Sequence, residues 1–169
     1  MKKIFCISLV FIFLLFCGCK KSPDVTIVTE GLEFTAEADF YGEKYIFDVK
    51  TVSDSHIIFK ALSPEKIKDT VFEFKENTLE VKYGALSYKT SVSDLPCDSV
   101  VKFIYCNLTE IGNKSIEFYN NEYYAETETC GIKCKTYFSE MGLPLKISDS
   151  ENQILVIIKN SKIKNSSGT

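Results

Sequence analysis

From Leu32 to Phe40 apolar and polar residues alternate at nine consecutive positions, and this period of two governs most of the chain. Successive side chains of a pleated strand point to opposite faces, so such a segment has one face to bury and one to leave wet. Tyr41–Gly42–Glu43 supplies a turn, and the alternation resumes from Lys44 to Lys50 through Tyr45, Phe47 and Val49, which predicts a hairpin. After the break at Ser53–Asp54–Ser55, His56–Leu62 reads as a third strand. Ser63–Pro64–Glu65 ends it, because proline has no N–H to give to a ladder. Val71–Lys75 and Leu79–Tyr83 form a second hairpin around Glu76–Asn77–Thr78, and Leu86–Val92 follows the bend at Gly84. From Pro96 to Ile111 the period changes. Val100, Val101, Ile104 and Leu108 fall at helical spacing, with Pro96 near the start and Gly112 past the end. Ser115–Asn120, Glu122–Cys130, Lys133–Ser139, Leu145–Ser148 and Gln153–Lys159 return to the strand pattern. The expectation is a serial antiparallel meander of roughly ten strands interrupted by one helix over Cys97–Ile111.

The first 22 residues have a different character. Lys2 and Lys3 precede a run of 13 residues, Ile4–Phe16, that is apolar but for Ser8 and that Cys17–Gly18–Cys19 ends before Lys20 and Lys21. That run is too short for a spanning helix, which needs roughly 20 apolar residues, and matches the core of an export signal. Gly18 directly before Cys19 resembles a bacterial lipobox, with Phe16 three residues before the cysteine where leucine is usual. The resemblance implies that Cys19 is lipidated and that the chain is cut just before it. The expected organisation is then a signal at 1–18, a lipidated tether at 19–31, one β domain at 32–160 and a polar tail at 161–169. Loss of the signal leaves 151 residues, enough for a single well-cored domain.

Charge and cysteine content narrow the partners. All 20 basic residues are Lys, and without Arg there is no bidentate fork for phosphates or guanine edges, so no nucleic-acid partner is expected. Four cysteines, Cys97, Cys106, Cys130 and Cys134, remain in the expected domain. In an exported chain an even number favours disulfides or buried thiols over a zinc site. Gly131–Ile132–Lys133 reads as a three-residue hairpin loop that would set Cys130 opposite Cys134, within reach of a local disulfide. Cys97 and Cys106 would then pair or stay buried. The aromatic residues sit mostly on the apolar faces of their strands. They form either a plain core or the lining of a hydrophobic cavity, and periodicity alone does not separate the two.

The Gly31–Phe40 strand with its Tyr41–Gly42–Glu43 turn, and the Ile57–Leu62 strand ending at Ser63–Pro64, are similar to stretches of a known group. So are Tyr83–Gly84–Ala85–Leu86 and the Gly142–Leu143–Pro144 turn. Together they resemble the superfamily of bacterial lipoprotein carriers that includes LolA, LolB, LppX and LprG. The likeness implies a mainly β (α+β) fold, a curved antiparallel sheet or incomplete β-barrel covered by one or more helices. It also implies a cavity lined by Phe34, Phe40, Phe47, Phe59, Phe74, Val101 and Ile104. The function to expect is an envelope lipoprotein, anchored to the membrane through Cys19 and binding a lipid or other hydrophobic ligand. The alternative is a structural or assembly lipoprotein that uses the same fold to bind an envelope protein partner.

No catalytic residues, cofactor or metal ligands are expected. His56 is the single histidine, and alternation places it opposite Ile57 and Phe59 as an exposed strand residue. The chain contains no phosphate loop, dinucleotide glycine motif, nucleophile elbow or calcium loop. Glu126 and Glu128 share one strand face, where carboxylates serve solvation.

Overall fold

The computed structural model describes residues 25–151 and 153–164, so the expected signal and the lipidation site at Cys19 lie outside the described residues. Eleven strands build one antiparallel sheet. The first six are β1 (Leu32–Phe40), β2 (Glu43–Ser53), β3 (His56–Ser63), β4 (Val71–Lys75), β5 (Thr78–Tyr83) and β6 (Leu86–Ser91). A helix, α1 (Val100–Ile111), precedes β7 (Glu117–Tyr119), β8 (Glu122–Thr129), β9 (Ile132–Phe138), β10 (Pro144–Asp149) and β11 (Ile154–Ile163).

The strand order is β6-β5-β4-β3-β2-β1-β11-β10-β9-β8-β7. The chain therefore meanders outward from β1 to one edge, crosses to the other edge through α1, and meanders back until β11 pairs with β1. As the link between the two edge strands, α1 has to span the space between them. The sheet curls around it. Tyr105 of α1 stacks on Phe74 of β4 with ring centroids 4.3 Å apart, while Asn107 is hydrogen-bonded to Thr127 of β8 and Thr136 of β9. In a flat sheet β4 and β8, seven strand spacings apart, would stand roughly 34 Å from each other. Side chains two residues apart on one helix reach both, so the sheet is an open half-barrel with α1 in its concavity.

Alternation accounts for the buried face. Leu32, Phe34, Ala36, Ala38 and Phe40 of β1 are buried, as are Phe47 and Val49 of β2, Ile57, Phe59 and Ala61 of β3, and Ile154, Val156 and Ile158 of β11. These join the helix side chains in one core. The convex face carries cross-strand ion pairs instead, such as Lys159 with Glu37 and Lys135 with Glu126.

Several boundaries differ from expectation for local reasons. The β1–β2 turn uses two residues, Tyr41 and Gly42, at φ +52° and +80°, and Phe40 pairs with Glu43. Paired left-handed residues make a turn whose twist matches that of the strands, which favours it over a three-residue loop. The helix begins at Val100, because Ser99 is still extended at φ −79° and ψ 118° and acts as the N-cap. β11 runs on to Ile163, since Leu32 and Glu33 of β1 pair with Ile163 and Lys162. The domain thus takes in the first residues expected in the polar tail. Residues 25–28, within the segment expected as a tether, are docked: Val25 and Ile27 pack on Ile111, Ile116, Ala125 and Phe138, and the Val28 N–H donates to the Gly142 carbonyl at 3.1 Å.

Candidate functional site: the concave face beneath α1

All seven residues expected to line a cavity lie together in the main core. Phe47, Phe59, Phe74 and Ile104 are fully buried, and Phe34, Phe40 and Val101 nearly so. Register brings the rings into a row. Val49 faces Phe59 across β2–β3, and Ile57 faces Phe74 across β3–β4. Phe47 meets Phe59 edge to face at 6.1 Å, Phe59 meets Phe74 at 5.6 Å, and Phe40 meets Phe103 of the helix at 5.6 Å. Offset and edge-to-face contacts of this kind add about 0.5–1.5 kcal/mol per pair beyond burial. The concave face is therefore filled by its own aromatic side chains.

Two helical residues that the stripe Val100–Val101–Ile104–Leu108 leaves out do the polar work at this site. Tyr105 donates from its hydroxyl to the Glu76 carbonyl at 2.7 Å while its ring lies on Phe74. Burial holds its phenol above the usual range. Asn107 is completely buried; its amide N–H donates to Thr127 Oγ1 at 2.8 Å and its carbonyl accepts from Thr136 Oγ1 at 2.9 Å. Helical spacing contained the signal for both. Tyr105 stands four residues after Val101, and Asn107 four after Phe103, which is buried too. Two adjacent stripes mean a helix embedded on more than one side, as the curled sheet requires. The ties differ at the two sides of α1. Toward β8 the helix approaches the sheet backbone most closely, over Ala125 and Thr127. Toward β1–β4 the interval is occupied by aromatic rings, with the Tyr105 hydroxyl as the polar tie.

The grooves on the surface lie elsewhere. One of about 360 Å³ opens on the convex side between Glu33, Asp48, Lys50 and Lys60, and one of about 460 Å³ beside Tyr41, Gly42 and Gln153. Phe34 borders the first; Phe47, Phe59, Phe74, Val101 and Ile104 border neither. The β5–β6 hairpin presents exposed apolar groups, with Tyr83, Leu86 and Tyr88 58%, 74% and 67% accessible.

The expected disulfide is corrected by the hairpin register. Cys130 and Gly131 form a two-residue turn at φ +54° and +77°, so Thr129 pairs with Ile132 and Cys134 faces Thr127 rather than Cys130. Cys97, Cys106, Cys130 and Cys134 are all free thiols in the structure. Cys134 points into the core and donates to the Ile132 carbonyl, and burial pushes its thiol up to about 11. His56 keeps its expected face but is half-buried. Its Nε2 lies 3.0 Å from Glu73 Oε1 across β3–β4, and Lys82 Nζ meets the other oxygen of Glu73 at 2.9 Å. Among the described residues no group of three His, Cys, Asp or Glu side chains is arranged to hold a metal ion, and no helix is long and apolar enough to cross a membrane.

No protein-family model matches the sequence, and no curated protein matches it either. Solved structures do. The chain is similar to an uncharacterised conserved protein from Thermus thermophilus at 10% identity and a TM-score of 0.54, over 82% of this chain and 81% of that one. It also resembles the LolA superfamily protein NE2245 from Nitrosomonas europaea at 10% identity and a TM-score of 0.48, over 85% and 90% of the two chains. A putative outer membrane lipoprotein-sorting protein domain from Vibrio parahaemolyticus gives 9% identity and a TM-score of 0.44 over 85% and 89%. At these identities the likeness is one of fold alone, and the two below a TM-score of 0.5 carry no further weight. The expectation of a mainly β, half-barrel fold with a covering helix stands on the topology itself.

Proposed function

We propose that this chain is a non-enzymatic, lipid-anchored protein of the extracytoplasmic cell envelope. In this reading it receives a lipid or other hydrophobic ligand between α1 and the aromatic half of its concave face. The observation that carries it is the asymmetry of α1. One side rests on β8 and β9 through Asn107; the other is separated from β1–β4 by Phe40, Phe47, Phe59 and Phe74 and tied by Tyr105. An apolar ligand would enter on the aromatic side by displacing rings and releasing the Tyr105 hydroxyl. It would gain about 0.8 kcal/mol for each methylene buried, set against the ring contacts it breaks. Anchoring through Cys19 rests on the apolar run and the Gly18–Cys19 pair, and the sequence resemblance to the lipoprotein carriers supports both parts of the reading.

A second reading is favoured by two other observations. The concave face is packed, and Tyr83, Leu86 and Tyr88 form an exposed apolar cluster at a sheet edge, a feature of surfaces that meet other proteins. In that reading the chain is a structural or assembly lipoprotein binding an envelope protein partner, and the rings are plain core. The deciding experiment is mass spectrometry of lipids carried by the natively extracted full-length protein, wild type and Phe47→Ala. Lipid bound stoichiometrically to the wild type and depleted in a folded Phe47→Ala variant supports ligand binding. Absence of lipid from both, with Phe47→Ala losing about 3–5 kcal/mol of stability, transfers the reading to the partner.

A further inference from the structure

Apolar side chains stand exposed at both ends of the sheet, and the topology separates the two sets. Neighbouring strands are antiparallel, so successive connections alternate between the ends. The β7–β8 and β9–β10 connections and the entry of the chain into β1 share one end; the β5–β6 turn, with Tyr83 and Leu86, lies at the other. At the first end Phe118, Tyr119 and Met141 are 43%, 62% and 73% accessible. Contacts tie them to residues 25–28. Phe118 lies against Tyr123 with ring centroids 4.7 Å apart, and Tyr123 packs on the same cluster as Val25 and Ile27. Met141 directly precedes Gly142, whose carbonyl accepts from the Val28 N–H. The backbone that presents Met141 is closed on itself. The Gly142 N–H donates to the Ser139 carbonyl at 3.0 Å, and Ser139 Oγ accepts from the N–H groups of Met141 and Leu143 at 3.3 and 3.2 Å. An exposed apolar side chain on a turn whose N–H groups are already paired can leave water without stranding backbone donors, which is what a lipid surface demands.

We propose that this end of the sheet rests on the bilayer, with Phe118, Tyr119 and Met141 seated in the headgroup zone. The proposal rests on the anchoring at Cys19 proposed above. Val25 is six residues from Cys19, about 20 Å at full extension. β1 alone has nine residues and is roughly 30 Å long. A link shorter than the sheet is tall keeps the Val25 end near the membrane and prevents the molecule from standing on its far end. The side chains suit the place. Tyrosine belongs at the boundary, where its ring is shielded and its hydroxyl stays wet, and phenylalanine and methionine add apolar surface to a shallow contact. The contact is apolar in nature, since Glu122 and Glu140 flank Tyr119 and Met141 and the chain carries a formal net charge of −3. Anionic headgroups are therefore not what draws it. The arrangement turns Tyr83 and Leu86 away from the bilayer, where another envelope component can reach them.

The test uses protein extracted from the membranes of cells expressing the full chain and placed in phosphatidylcholine vesicles, with plain or brominated acyl chains. The sequence contains no tryptophan, so one introduced tryptophan reports on one place. Met141→Trp and Leu86→Trp put the same reporter at exposed positions of the two ends, and Tyr119→Trp replaces the first if it does not fold. Flotation of the vesicles measures retention in the same samples. The expected result is that all variants float. Emission from Met141→Trp should move to shorter wavelength in plain vesicles and be quenched in brominated ones, while Leu86→Trp emits as it does in buffer. Floating protein in which Met141→Trp is unquenched, or in which both ends are quenched alike, would overturn the contact and leave the anchor standing. Protein that does not float would overturn the anchor, and the proposal with it.

Discussion

Gly142 has φ +75°, and a Cβ built there would stand 1.9 Å from the Thr26 carbonyl oxygen. Two demands therefore fall on one position: a left-handed backbone, and room for residues 26–28 to cross within hydrogen-bonding distance, where the Val28 N–H meets the Gly142 carbonyl. Gly142→Ala should destabilise by more than the ~1–2 kcal/mol that a left-handed residue costs on its own. Gly131 is the control, because it has φ +77° but nothing within 4 Å of its added Cβ. Gly131→Ala should show the conformational cost alone, and chemical denaturation of the two variants measures the difference. Thr129 offers the opposite case. Its hydroxyl is buried without a partner, so it bears a desolvation cost and gains no hydrogen bond. Thr129→Val keeps the shape and should raise stability by about 1 kcal/mol, seen as a higher denaturation midpoint with an unchanged slope. At this scale the sequence is partly legible. The turn at Gly142–Leu143–Pro144 can be read from its residue types, but the passage of Thr26 over it is a tertiary contact that no local signal reports.

The strands are readable because a period of two repeats within a few residues, whereas turns depend on backbone twist that side-chain pattern does not record. Cys130–Gly131 therefore reads from residue types as part of a longer loop, and the same step misplaces the facing partner of Cys134. For α1 the apolar stripe is visible, and Tyr105 and Asn107 stand at helical spacing from Val101 and Phe103, but their polar groups read as solvated until the sheet curls over them. Tyr105→Phe tests the role assigned to that residue. Removing the hydroxyl leaves the Glu76 carbonyl without its donor but keeps the ring on Phe74, so stability should fall by about 1 kcal/mol. Amide exchange in the first turns of α1 should quicken, and if the ligand reading holds, lipid uptake should speed up rather than fail. The His56–Glu73–Lys82 network ties β3, β4 and β5 on the convex side. Glu73 is held below the ordinary carboxylate range, first by the hydrogen bond from Lys82 and then by that from His56. A carboxyl whose folded pKa is lowered contributes stability above its unfolded pKa, and that contribution disappears as pH falls through the lowered folded value. The wild type should therefore exceed Glu73→Gln in stability at about pH 6, and the gap should close in denaturation curves taken below the ordinary carboxylate range.

The order of the whole sheet follows from one fact about the chain: its only described α-helix falls between the sixth and seventh strands. Strands on either side of α1 can each meander, but the helix must carry the chain from one edge to the other, and β11 then closes on β1. Sequence supplies the elements and their number to within one strand; it does not supply the pairing of β1 with β11, which joins the two ends of the domain. That pairing has a consequence for anchoring. Residues 25–29 are docked beside the end of α1, with Val25 and Ile27 packed on Ile111, Ile116, Ala125 and Phe138. Val25 is six residues from Cys19, so even a fully extended link spans only about 20 Å. If Cys19 carries the lipid, the domain is held close to the bilayer, unlike a carrier that travels between membranes. Two variants separate the anchor from the dock. Cys19→Ala should abolish labelling by a lipid precursor and membrane retention while leaving the melting temperature of the domain unchanged, because every residue of the described core is kept. Ile27→Asp should do the reverse: it places a charge among four apolar side chains and lowers the melting temperature, while label and retention persist. Full membrane retention of Cys19→Ala would reject the anchor. An unaltered melting temperature in Ile27→Asp would mean that the tether contributes nothing to the fold and that the domain is free to stand farther from the membrane.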